Sequence, residues 1–406
     1  MMKTLIRCIF AALAVCLIAS CHGTEPESVP VRRVVLMYAC AYNNLSYSIA
    51  DDVDELCAGA APGVGSCDIL LVYTHNTAGY RDYKTATNPV LFRAYKDLEG
   101  KPRRDTVIVY PSTDISSTVD VMHKVLCDVQ ELFPARSYGM IFSSHGKGWV
   151  PPGYKEADED EPITWLAPRE PVDYSATRHM GDYANTDQAG YQIDIKELVG
   201  AIPMQLDFFI LDACLMGCVE FAYELKDKCR MMIVSPTEIL KDGLIYSVMT
   251  DRLLVTAQPD LKQICVDYAD FYTSGRGIYP YATVTLVDCT RLDALATVCK
   301  ELIAAHGPDF PQMSRNSIQP YFYNSLHWFY DLRDIFAQAG ASEAELARLD
   351  SALNGCIPYH FATPKFFNVS MERVCGLSMY FPYPDKTELN SYYKTLSWNK
   401  ATGLIQ

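Results

Sequence analysis

"YGMIFSSHGKGW", residues 138–149, begins as an unbroken apolar run and closes on two serines, a histidine and two glycines. Met140, Ile141 and Phe142 follow one another without polar alternation, the pattern of a strand buried on both faces. Such strands belong to parallel sheets covered by helices on both sides. In open α/β sheets the reacting groups gather at the carboxyl ends of the strands. His145 stands at such an end. A lone histidine is more often a hydrogen-bonded core residue than a catalyst, so its meaning depends on a partner.

"LDFFILDAC" (206–214) supplies one. It is a second doubly buried strand, ending in Asp212, Ala213 and Cys214, and the pattern predicts a helix from about Leu215. A cysteine just ahead of a helix N-terminus meets free N–H groups and the positive end of the macrodipole, which favour the thiolate. A histidine on a neighbouring strand end is placed to shuttle the proton. Gly146 lets the chain turn without a Cβ in the way. The N–H groups of Gly146 and Cys214 are then candidates for an oxyanion hole. Asp212 shares the face of Cys214 by strand alternation; it lines the pocket, orients His145, or is a structural carboxylate. Cys218, one helical turn after Cys214 on this reading, is a packing residue.

Working outward, strands and helices alternate. Strands are expected over 33–40, 68–75, within "VLFRAYKD" and "DTVIVYPS" (a pair flanking the turn "EGKPRRD"), in "CRMMIVSPTE" and in "YATVTLVDC". A helix over 45–60 puts Ile49, Val53, Leu56 and Cys57 on one face, and one over 117–133 does the same with Val119, Met122, Leu126, Val129 and Leu132. "YQIDIKELVGAI" (191–202) reads as a helix capped by Asp194. These alternations predict an α/β protein, a mostly parallel central sheet with helices on both faces. Residues 33–290 form this core. Residues 291–406, with helices in "RLDALATVCKELIAAHG" and "ASEAELARLDSALNG" and strands in "FFNVSM" and "CGLSMYFPY", are assigned to a smaller C-terminal α+β subdomain.

Residues 150–190 break the rhythm. The stretch is aperiodic, with a dense acidic run at 156–161. So long a loop inside a compact domain is functional or disordered. It leaves the strand that carries His145, so it is expected beside the site. The acidic run offers oxygen ligands for calcium, but a solvated loop is the plainer reading, and no metal site or organic cofactor is called for.

The first twenty residues read as a signal peptide: Lys3 and Arg7, then an apolar run from Cys8 to Ala19, too short to span a bilayer. It ends Ile18-Ala19-Ser20-Cys21, which resembles the bacterial lipobox, so Cys21 is expected to carry lipid. Residues 21–32 are a polar tether. This places the protein in the cell envelope, periplasmic or surface-exposed, with the lipid as its only membrane attachment. A formal net charge of −14 argues against a nucleic-acid partner. Of fifteen cysteines, Cys8 and Cys16 leave with the signal and Cys21 is lipidated. The rest show no CxxC or zinc-ligand spacing, and one or two disulfides among them are compatible with an oxidising envelope.

Two strands ending in His-Gly and Ala-Cys, in that order, resemble the caspase–gingipain–legumain group of cysteine peptidases. "SSHGKGW", "LDACLMGCVEFAYEL", "IVSPTEI" and "CGLSMYFP" resemble the clostripain-like peptidases over about residues 34–382. The resemblance implies a caspase-like α/β/α sandwich, His145 as general acid, Cys214 as nucleophile, and peptide-bond hydrolysis after Arg or Lys. Peptide or protein substrates with basic residues are the expected partners. A buried carboxylate must then receive the basic side chain, and Asp242 and Glu238, beyond the next strand, are candidates beside Asp212. Self-cleavage near the site is common in such enzymes and points to Lys155, Arg169 or Arg178. One departure concerns Ala41-Tyr42-Asn43-Asn44-Leu45, where Tyr42 replaces the family's usual acid; calcium dependence therefore does not carry over. The rival readings are a non-catalytic surface lipoprotein of this fold that binds peptides or a partner, and a same-fold peptidase of different specificity.

Overall fold

The computed structural model describes residues 30–79, 82–154, 192–277, 279–322 and 328–406. Its centre is a ten-stranded sheet. Five strands run parallel in the order β2 (Asp68–Gly79), β1 (Val31–Ala41), β6 (Ala135–Ser143), β7 (Leu206–Asp212) and β8 (Cys229–Val234). These are the apolar runs of the sequence, and they lie in the middle because only strands covered on both faces can be apolar throughout. Antiparallel strands finish both edges. On one side β4 (Val90–Lys96) pairs with β2 and with β5 (Pro102–Val109), the expected hairpin, and β3 (Asp82–Ala86) also pairs β2. On the other, β9 (Thr283–Asp288) pairs with β8.

Helices cover both faces. One layer contains α1 (Ser46–Ala58), α5 (Tyr246–Thr250) and α6 (Leu261–Thr273); the other contains α2 (Val119–Leu132), α3 (Ile195–Ala201), α4 (Val219–Glu224) and α7 (Leu292–His306). The apolar faces read from the periodicity are buried except at two positions of α2, one being Val119, which is only partly buried. Ile49, Val53, Leu56 and Cys57 of α1 are in the core, as are Met122, Leu126 and Val129 of α2, whereas Leu132 at the last turn of α2 is half exposed. The side chain of Asp194 caps α3, accepting from the Lys196 N–H at 2.8 Å. Gly139 in β6 faces Phe208 in β7; a Cβ there would lie 2.0 Å from the Phe208 ring, so the smallest residue is what lets these two strands pair.

The segment 291–406 is tied to the same sheet. Its strand β11 (Tyr359–Ala362) pairs antiparallel with β9. A short strand, Ser378–Met379, pairs with β10 (Tyr330–Asp331), and Ser378 bridges to Cys218 in the loop after β7. The twelve cysteines between Cys40 and Cys375 are all free thiols, ten of them buried. No helix among the described residues is long and apolar enough to cross a membrane.

Candidate active site

The register of β6 and β7 builds the site. Ser143 pairs with Asp212 across the parallel ladder, so His145 and Cys214 each lie two residues beyond one paired rung. The Ser143 hydroxyl donates to Asp212 Oδ2 at 3.2 Å, which fixes the face those two side chains share. Both later residues find partners from other elements. The His145 ring meets Asn44 at the start of α1, with Nε2 2.6 Å from Asn44 Oδ1. The Cys214 sulfur meets Ile239 in the loop after β8, whose N–H donates to Sγ at 3.3 Å. The two backbones are in close approach: a Cβ on Gly146 would lie 2.5 Å from the Cys214 carbonyl oxygen. That contact is the physical requirement for glycine at 146.

The helix expected from Leu215 begins only at Val219. Residues 213–218 are a tertiary-braced turn. The Leu215 N–H donates to the Thr237 carbonyl at 3.0 Å, the Gly217 N–H to Ser235 at 2.8 Å, and the Gly217 carbonyl accepts from the Ser378 N–H at 2.9 Å. These partners take the backbone groups that a helix would have used. Leu215, directly after the candidate nucleophile, has φ +61°, a conformation costly for a branched side chain and found where surrounding structure enforces it. A helix macrodipole therefore does not act on Cys214 as the sequence suggested, and Cys218 is not one helical turn away; it is a fully buried residue at the N-cap of α4. Cys214 is buried, with 1% of its surface exposed.

Both loops are held by the C-terminal segment. Trp149, the last residue of the opening motif, is fully buried against Tyr380 and Tyr393, with ring centroids 4.7 and 4.9 Å away. Gly148 reaches this position with φ +58°, where a Cβ would strike Phe329. From the thiol side, Glu220 of α4 accepts the Tyr380 N–H at 2.8 Å and the Tyr393 hydroxyl at 2.7 Å. Burial pushes the Glu220 carboxyl up to about 7, against these hydrogen bonds. Tyr380 and Tyr393 thus join the histidine loop to the cysteine loop.

The three candidate specificity acids have different settings. Asp212 is fully buried and accepts from Ser143 and from the Tyr246 hydroxyl at 2.7 Å. Glu238 is buried next to Ile239. Asp242 lines a pocket of about 460 Å³ between α1 and the loop after β8, with Asp51, Asp52 and Glu55, and with Lys241 and Arg276 also on its wall. Burial and the neighbouring Asp51 and Asp242 charges raise the Glu55 carboxyl. Behind the His145 loop, on the α2–α3 side, Gln192 Oε1 accepts from Lys147 Nζ at 2.6 Å and from the Gly153 N–H at 2.9 Å. The two ends of the long acidic stretch therefore meet beside the site. Burial lowers Lys147 to about 8. Lys155, Arg169, Arg178, the acidic run at 156–161 and Cys21 lie outside the described residues. No group of three or more His, Cys, Asp or Glu side chains that could hold a metal occurs among the described residues.

Sequence reasoning missed Asn44, Ile239 and Glu220. Asn44 left a faint signal, because the Asn-Asn-Leu string follows the carboxyl end of β1. The other two left none.

A caspase-like α/β/α sandwich of this kind, with a thiol and an imidazole at neighbouring strand ends, defines a cysteine peptidase. The chain belongs to the Clostripain family, whose model matches residues 37–401. Solved structures share the fold. An inactive zymogen C11 protease from Parabacteroides distasonis superposes with a TM-score of 0.73 at 24% identity, covering 91% of this chain and 97% of its own. The secreted C11 cysteine protease "iotapain" from Bacteroides thetaiotaomicron gives 0.73 at 23%, covering 92% and 99%. A secreted C11 cysteine protease from the same organism, bound to an irreversible peptide inhibitor, gives 0.70 at 25%, covering 91% and 98%. No curated protein sequence matches the chain.

Proposed function

We propose that this protein is a lipid-anchored cysteine endopeptidase of the cell envelope that cuts after Arg or Lys through a Cys214–His145 dyad. The observation that supports the dyad is the Ser143–Asp212 rung, beyond which His145 and Cys214 each follow by two residues at the carboxyl ends of adjacent strands. Cys214 attacks the scissile carbonyl to give a tetrahedral intermediate. His145 protonates the departing amine, and water then hydrolyses the thioester. The N–H groups of Gly146 and Cys214 hold the oxyanion. No organic cofactor or metal enters this scheme.

Asp212, two residues before the thiol, and Glu238, next to Ile239, whose N–H meets the sulfur, support basic specificity. Asp212 would form the floor of the pocket, with Asp242 and Glu238 contributing from the loop that also covers the sulfur. A peptide reaches Cys214 only when Ile239 moves aside, and self-cleavage after Lys155, Arg169 or Arg178 is the proposed trigger. The zymogen among the structural relatives is a precedent for such control in the fold. The signal sequence with Cys21 supports the anchor, and a Cys21→Ser protein is expected in the soluble fraction.

A positional scanning peptide library on wild type, Cys214→Ala and His145→Ala tests catalysis and specificity together. Cleavage after Arg and Lys that vanishes in both variants is expected; retained turnover by Cys214→Ala removes the dyad. Asp242→Ala should lose Arg and Lys substrates by about tenfold or more, and unchanged cleavage of a small Arg reporter takes Asp242 out of that role. Intact masses of wild type and Cys214→Ala that are identical rule out self-processing.

A further inference from the structure

The chain around Asn44 is built to hold one side chain still. β1 ends at Ala41, and Asn43 folds the next turn back on it. Asn43 is buried; its Nδ2 donates to the Cys40 carbonyl at 3.0 Å, and its Oδ1 accepts the Leu45 N–H at 2.8 Å. The Asn43 backbone closes the same turn, its N–H donating to Ala41 at 2.8 Å and its carbonyl accepting from Ser46 at 3.2 Å. The strand that carries His145 is fastened to the same point, because the Ser144 hydroxyl donates to the Cys40 carbonyl at 3.0 Å. Asn44 and His145 are therefore presented to each other by two strand ends sharing one carbonyl. Their side chains meet at 2.6 Å between Oδ1 and Nε2.

We infer that Asn44 is the residue that positions His145, accepting Nε2–H through Oδ1 so that Nδ1 is the nitrogen that moves the proton. This rests on the dyad reading above. A carbonyl oxygen cannot donate, so the contact fixes the imidazole as the Nε2–H tautomer. In the chemical step the Cys214 sulfur bonds to the carbonyl carbon, and the C–N bond breaks as the tetrahedral intermediate collapses. The proton passes from Nδ1 to the leaving nitrogen, and Nε2–H stays on Asn44 throughout. An amide orients the ring without a full negative charge beside it, so the imidazolium is held in place but not strongly stabilised. A carboxylate at 44 would change that balance, because an opposite charge at hydrogen-bond distance favours the charged ring.

Three variants, Asn44→Ala, Asn44→Asp and Cys214→Ala, form the test, read by kcat/KM across pH with an Arg reporter peptide. Labelling with a thiol-reactive irreversible peptide inhibitor counts intact sites, and melting curves report folding. Asn44→Ala is expected to lose roughly 10- to 100-fold in kcat, part of the ~10²–10⁴ that a positioned acid–base supplies, with KM little changed. Asn44→Asp should keep most of the activity, because it still accepts Nε2–H. Its alkaline limb, which reports loss of the imidazolium, should move up by about one pH unit or more. A merely structural asparagine would not shift that limb. Wild-type kcat in Asn44→Ala, or an unmoved alkaline limb in Asn44→Asp, overturns the inference while leaving the dyad intact. Activity surviving in Cys214→Ala is the separate failure of the dyad itself.

Discussion

Glu220→Gln isolates the buried carboxyl that ties the thiol loop to the C-terminal segment. Glu220 is fully buried, and its carboxyl is raised from an ordinary 4.5 to about 7, chiefly by burial. The folded chain therefore keeps this proton up to about pH 7, whereas the unfolded chain releases it near 4.5. Between those values the folded state binds more protons than the unfolded one, so stability falls as pH rises. Integrated from pH 5 to pH 8, the loss is about 2–3 kcal/mol. Glutamine keeps an oxygen for the Tyr380 N–H and the Tyr393 hydroxyl but cannot titrate. Its amide nitrogen takes the place of Oε2, which has no hydrogen-bond partner among the described residues. That substitution carries its own cost, which is independent of pH and cancels when two pH values are compared. The measurement is denaturant unfolding at pH 5 and pH 8 in a Cys214→Ala background, which prevents self-digestion. Between these pH values the parent should lose about 2–3 kcal/mol more than the Glu220→Gln form. Parallel pH–stability curves for the two would refute the assignment of this window to Glu220.

Gly146→Ala forces a Cβ to within 2.5 Å of the Cys214 carbonyl oxygen. Because the obstacle is backbone, the loops carrying His145 and Cys214 must separate, and kcat/KM should fall by about tenfold or more; wild-type turnover would show that the approach is not needed. Tyr246→Phe strips the 2.7 Å donor from buried Asp212. It should destabilise the chain by about 1–3 kcal/mol in urea unfolding, and an unchanged midpoint would mean that Asp212 is held otherwise. Gly139→Ala drives a Cβ into the Phe208 ring. It should cost about 1–3 kcal/mol as an overpacked core, and the Phe208→Leu background should recover part of that loss; an equal loss in both backgrounds removes the ring as the cause.

Much of the site was legible because strand signals are local. An apolar run of five or six residues announces a doubly covered strand wherever it lies, and "FFILD" and "GMIFS" became the central pair β7 and β6. The histidine and cysteine were readable for the same reason, since each directly follows its strand. Their strands proved to be neighbours, with Ser143 opposite Asp212 at the last paired rung. The helix after Cys214 was misread on equally local grounds. "LMGCVEFAYEL" has helical composition, yet Leu215 and Gly217 give their backbone groups to Thr237, Ser235 and Ser378.

What the sequence by itself determined is therefore the set of buried strands, the order of helices between them, and the histidine and cysteine that follow two neighbouring strands. Those follow from periodicity and from chain adjacency, which are properties of neighbouring residues. Only the tertiary structure decided that Asn44 meets the imidazole from 101 positions away, that Ile239 covers the sulfur from 25 positions away, and that Glu220 is buried under Tyr380 and Tyr393. Each of these is a hydrogen bond between groups whose nearness exists only once the sheet is assembled, and no local pattern encodes which distant donor a given acceptor will find.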